Sequence, residues 1–105
     1  MGTIFDVIEK IRKRPGLILG NQRADTLYAF LSGYAYARKD SAPGDYEFLT
    51  DFNQWVHDRY EITSTQGWAK IIEFYSVSEA GELPLFWKLL DEYLGHRARR
   101  RKKVS

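Results

Sequence analysis

The chain has 105 residues, 44% hydrophobic and 15% aromatic, which describes one folded domain and excludes a disordered segment. It has no cysteine, which excludes disulfides, thiolate metal sites and thiol catalysis and fits a reducing compartment. Its formal charge of +2 hides a body, 15–95, with twelve Asp/Glu against six Lys/Arg, or −6.

That body lies between a basic knot (Lys10, Arg12, Lys13, Arg14) and a basic tail carrying Arg97, Arg99, Arg100, Arg101, Lys102 and Lys103. Such an acidic body is a poor binder of nucleic acid and a good match for a basic protein. No apolar run reaches the length of a membrane span. The amphipathic, acid-bearing N-terminus does not read as a signal peptide, so the expected compartment is the cytoplasm.

Thr3 is placed to cap a first helix, with Asp6 completing a weak capping box. Ile4, Ile8 and Ile11, joined by Phe5 and Val7, give that helix its buried face. Arg14-Pro15-Gly16 ends it. Leu17-Ile18-Leu19, closed by Gly20, reads as a buried extended segment or a helical turn. A second helix, 24–39, follows from Leu27, Phe30, Leu31, Tyr34 and Arg38. Gly33 inside it costs about 1 kcal/mol relative to alanine, a cost that close backbone packing would explain. Residues 40–45 form a loop.

A third helix, 46–60, carries the stripe Phe48, Phe52, Trp55, Val56 and Tyr60. A fourth, 66–75, uses Trp68, Ile71, Ile72 and Tyr75, with Ser64 or Thr65 as its cap. Ser78 is suited to cap a fifth helix that runs to Leu94 and buries Leu83, Phe86, Leu89, Leu90 and Tyr93. Pro84 either occupies its first turn or kinks it. Gly95 is a natural stop, which leaves 96–105 as a flexible basic tail. The pattern predicts an all-α fold: a compact bundle of about five helices over 1–95, then the tail. In the α+β alternative 17–19 and 71–75 become strands, but a pair of short strands makes a marginal sheet.

Little in the chain points to catalysis. His57 and His96 are the only histidines, and no further ligands stand at zinc spacing. His57 reads as a surface histidine. The serines have capping, loop or surface roles, and no Gly-rich phosphate cradle is present. The expectation is a non-enzyme without metal or cofactor. Trp55 and Trp68 fall at core spacing, whereas Trp87 and Tyr36 fit the stripes less well and are candidates for a partner surface. The tail could hold nucleic acid weakly and salt-sensitively through phosphates, or fold back on the acidic body. A small nucleic-acid-associated module using that tail is the alternative reading.

Two resemblances are carried by particular segments. Residues 12–20, Arg-Lys-Arg-Pro-Gly-Leu-Ile-Leu-Gly, are similar to a short stretch of the ATPase domain of type II topoisomerases. The Asn-bearing helix and Asp-x-Gly-x-Gly element of that ATP site are missing, so the likeness is a shared local turn.

The chain as a whole resembles a family of small bacterial proteins that look like immunity proteins of polymorphic, contact-dependent toxins. The resemblance rests on Lys13-Arg14-Pro15-Gly16 with Gly20, Phe30-Leu31-Ser32-Gly33-Tyr34, Phe52-Asn53-Gln54-Trp55-Val56, 64–72 and 86–94. It departs at Leu17-Ile18 and at Pro84. The resemblance implies a cytoplasmic immunity protein that neutralises a cognate toxin domain. The acidic body makes a basic nuclease the expected toxin. The expected partner surface is Asp40, Asp45, Glu47, Asp51, Asp58 and Glu61, with Tyr46 as its aromatic anchor.

Overall fold

The capping box at the N-terminus forms as the sequence predicts. In the computed structural model the Thr3 hydroxyl accepts the Phe5 N–H at 3.2 Å and the Asp6 carboxylate accepts the Thr3 N–H at 2.8 Å. The structure describes the backbone of residues 3–104 and the side chains of 3–100. The side chains of 101–105, part of the predicted tail, lie outside the described residues.

Six helices and one 3₁₀ turn make the bundle, with no strand among the described residues. They are α1 (Ile4–Lys13), α2 (Pro15–Leu19), α3 (Ala24–Ala37), α4 (Pro43–Arg59), α5 (Trp68–Tyr75), the 3₁₀ turn Ser76–Ser78, and α6 (Glu82–Val104). The helix beyond the expected five is α2. Pro15 opens it with a φ already suited to a helix, and Gly20 closes it at φ 80°. The burial expected for this apolar run does not occur. Leu17 is 75% exposed and Ile18 38% exposed, and Leu19 alone of the three packs against the core.

Proline also sets two other helix starts. Pro43 opens α4 three residues before the predicted start, and Pro84 sits in the first turn of α6. The predicted stop at Gly95 is corrected. Gly95 is helical, and α6 continues through it to Val104. His96 and Arg97 are half-buried there, and Arg100 reaches Asp51 at 3.8 Å.

Several helix starts are completed from other helices. The first N–H groups of a helix have no acceptor within it. The Ala24 N–H at the start of α3 donates to the Glu82 carboxylate of α6 at 2.7 Å. The Trp68 N–H at the start of α5 donates to Asn53 Oδ1 of α4 at 2.8 Å. The Ile4 N–H of α1 donates to Asp45 Oδ1 of α4 at 3.2 Å. The caps predicted at Ser64 or Thr65 and at Ser78 are therefore not used; Gly67 and Gly81 precede α5 and α6.

Asp45 holds more than α1. Its side chain is buried, and Arg38, just past α3, approaches its other oxygen at 3.6 Å. Arg38 also donates to the Tyr34 hydroxyl and lies over the Tyr34 ring at 4.9 Å.

Phe52 of α4 is the centre of the apolar core. Its ring meets Trp68 at 5.7 Å, Phe86 at 5.6 Å and Tyr93 at 5.4 Å, all edge to face. Ile4, Ile8, Ile11, Leu27, Leu31, Ile71, Ile72 and Leu89 close the core around it. Removing Asp45 leaves Arg38 as a largely buried cation without that partner. Asp45→Ala is therefore expected to cost about 3–5 kcal/mol, read as a lower denaturation midpoint. A midpoint close to wild type would show that Asp45 does not tie the helix ends together. Trp68→Ala is expected to cost about 3–5 kcal/mol by the same measurement.

Candidate functional site

Helices α3 and α4 each carry a second stripe beside the one they bury. On α3 the core stripe is Leu27, Leu31 and Ala35, and Tyr28, Ser32 and Tyr36 run next to it at the same spacing. On α4, Tyr46, Thr50 and Asn53 run beside Phe48, Phe52 and Val56. These stripes line a cleft of about 530 Å³ together with Gly33, Leu49 and Trp68.

Trp68 is 2% exposed and forms the deepest wall, whereas Tyr28, Tyr36 and Tyr46 stand 40%, 63% and 53% exposed at the edge. Tyr28 is held from behind. Its ring lies 5.3 Å from that of Trp68, and a Cβ at Gly67 would come to 3.1 Å from it, a tight contact that glycine avoids. Asn53 Oδ1 is occupied by the Trp68 N–H, and the Asn53 carbonyl accepts His57 Nδ1–H at 2.8 Å. His57 is thus 8% exposed and packed, not the surface histidine that was expected. Thr50 Oγ1 donates to the Tyr46 carbonyl at 3.1 Å.

Gly33 is corrected too. A Cβ there would meet nothing within 4 Å, so the glycine does not serve close packing; it leaves open space at the cleft.

The acids expected at a partner surface separate into different roles. Glu47, Asp51 and Asp58 are exposed and lie on one face of α4, apart from the cleft stripe. Asp51 is engaged by the Tyr93 hydroxyl at 2.7 Å and by Arg100 at 3.8 Å, and Asp58 accepts the Gln54 amide at 2.9 Å. Asp40 is exposed in the turn after α3. Glu61 is exposed past α4 and takes the left-handed conformation, φ 55°, at the end of that helix. Asp45 is the exception: at 5% exposure it faces inward and belongs to the fold.

Of the aromatics, Tyr36 is exposed as expected. Trp87 is instead half-buried against the core, with the Arg12 guanidinium 5.4 Å over its ring. Trp55 and Trp68 join the core as expected.

Among the described residues no three His, Asp or Glu side chains gather to hold a metal ion, and no helix is long and apolar enough to cross a membrane. Arg12 grips Asp91 with two hydrogen bonds, 2.9 and 2.7 Å, which lowers the Asp91 pKa below the usual carboxylate range. Burial, reinforced by the hydrogen bond to Asp51, pushes the Tyr93 phenol up to about 12. No protein family, curated protein or solved structure matches this chain.

Two expectations follow. Gly33→Ala should raise stability by up to about 1 kcal/mol, because it gains helix propensity without meeting a neighbour; a lower midpoint would reveal an unseen clash. The raised Tyr93 value means the folded state keeps its proton after the unfolded chain has lost its own near pH ~10. This contribution to stability is complete below that pH and lost as pH rises toward about 12. Tyr93→Phe should flatten the alkaline fall in stability over that window; an unchanged slope would contradict it.

Proposed function

We propose that the chain is a binding protein that captures a basic partner protein through the α3–α4 face, and that it acts as an immunity protein neutralising a toxin domain. The observation that carries this reading is that α4 presents both one wall of a tyrosine-edged cleft and a row of exposed acids. Three exposed tyrosines edge an open cleft, and Glu47, Asp51 and Asp58 form a separate exposed row on the same helix. Tyrosine is enriched among residues that dominate binding energy, and fields from neighbouring acids add where a basic partner approaches.

The −6 body favours a basic toxin, with a nuclease the leading candidate because it must itself hold phosphates. Arg100 beside Asp51 supports the fold-back alternative for the basic end of α6 over a role in nucleic-acid binding.

The test begins with capture by the product of the neighbouring gene, followed by association kinetics. Charge reversal at Asp40, Glu47 and Asp58 avoids the buried Asp45. It should slow association more than it speeds dissociation, and the slowing should shrink as salt rises. Equal association rates for the reversed and native chains, with toxin-expressing cells still protected, would remove this face from the interaction.

A further inference from the structure

We propose that the α3–α4 cleft receives a single uncharged aromatic side chain from the partner, with a lysine or arginine on either side of it, an inference that rests on the reading of this face as the partner site. The lining carries no charged side chain, so a cation entering it would lose water without gaining a counter-ion. An aromatic ring loses nothing comparable and finds ring faces and edges at Tyr28, Tyr46 and Trp68. Gly33 leaves open space at the wall.

Cations have their place outside. The body 15–95 carries twelve Asp/Glu against six Lys/Arg, with Glu47, Asp51 and Asp58 exposed on α4, while the Tyr36 ring face is already covered by Lys39 of this chain at 4.5 Å. Basic residues flanking the anchor would therefore meet the field of the body's carboxylates in water while the anchor fills the cleft.

The probes are three tripeptides with blocked ends: Lys-Trp-Lys, Lys-Ala-Lys and Glu-Trp-Glu. Binding is followed by NMR shifts of the Tyr28 and Tyr46 rings and of the Gly33 amide. Lys-Trp-Lys should bind at least about tenfold more tightly than either of the others. Gly33→Leu sets its Cβ in the open space at the cleft; with its fold checked by its denaturation midpoint, it should lose at least about tenfold in affinity. Equal binding of Lys-Ala-Lys would show that charge alone is recognised and would overturn the anchor. Equal binding of Glu-Trp-Glu would overturn the basic flanks. If Gly33→Leu captures the full partner as the native chain does, the anchor inference fails. The wider reading of the face would then still be judged separately, by the charge-reversed variant.

Discussion

Helix N-termini present N–H groups that their own helix cannot satisfy, and this fold satisfies several of them from a distance. Glu82 serves α3, Asn53 serves α5 and Asp45 serves α1. Each bond fixes the end of one helix to the side of another, so it sets position as well as supplying an acceptor. Asp45 ties most elements together. It lies in the first turn of α4, accepts from the first turn of α1 and pairs with Arg38 at the end of α3. A carboxylate at a helix N-terminus is already favoured by the helix dipole, and the nearby guanidinium offsets part of its desolvation.

The candidate site depends on the same ties. Asn53 fixes the first residue of α5, which is Trp68, and Trp68 is the deepest wall of the cleft. Gly67, immediately before it, lets Tyr28 lie close. The core contact between Phe52 and Trp68 holds the inner edge of that wall. The cleft is thus formed by rigid helices and not by a loop, which limits the ordering cost when a partner docks.

Much of the fold was legible because helical burial repeats at a fixed spacing. Ile4, Ile8, Ile11 and Leu27, Leu31, Phe52, Val56 all appear in the core as their spacing predicts. Several of the failures share a cause: they depend on residues far apart in sequence. Local rules pointed to Ser64, Thr65 and Ser78 as caps, whereas the acceptors used at α3 and α5 come from Glu82 and Asn53. Asp45 looked like one more surface acid because nothing in its neighbourhood announces Ile4 and Arg38. Gly95 looked like a stop because local propensity does not include a contact such as Arg100 with Asp51. The cleft is half visible in the sequence: Tyr36 and Tyr46 stand out as exposed aromatics, while Tyr28, Ser32, Thr50 and Asn53 carry no signal but a spacing parallel to the core stripe.

Asp45 is a structural carboxylate, whereas α4 also carries the tyrosine-edged cleft and exposed acids where we propose recognition. Amide hydrogen exchange of the chain alone and in complex with the captured partner tests this most directly. Protection gained over 28–36 and 46–53 is the predicted result. Protection confined to α2 or to the basic end of α6, with 28–36 and 46–53 exchanging as in the free chain, would contradict it.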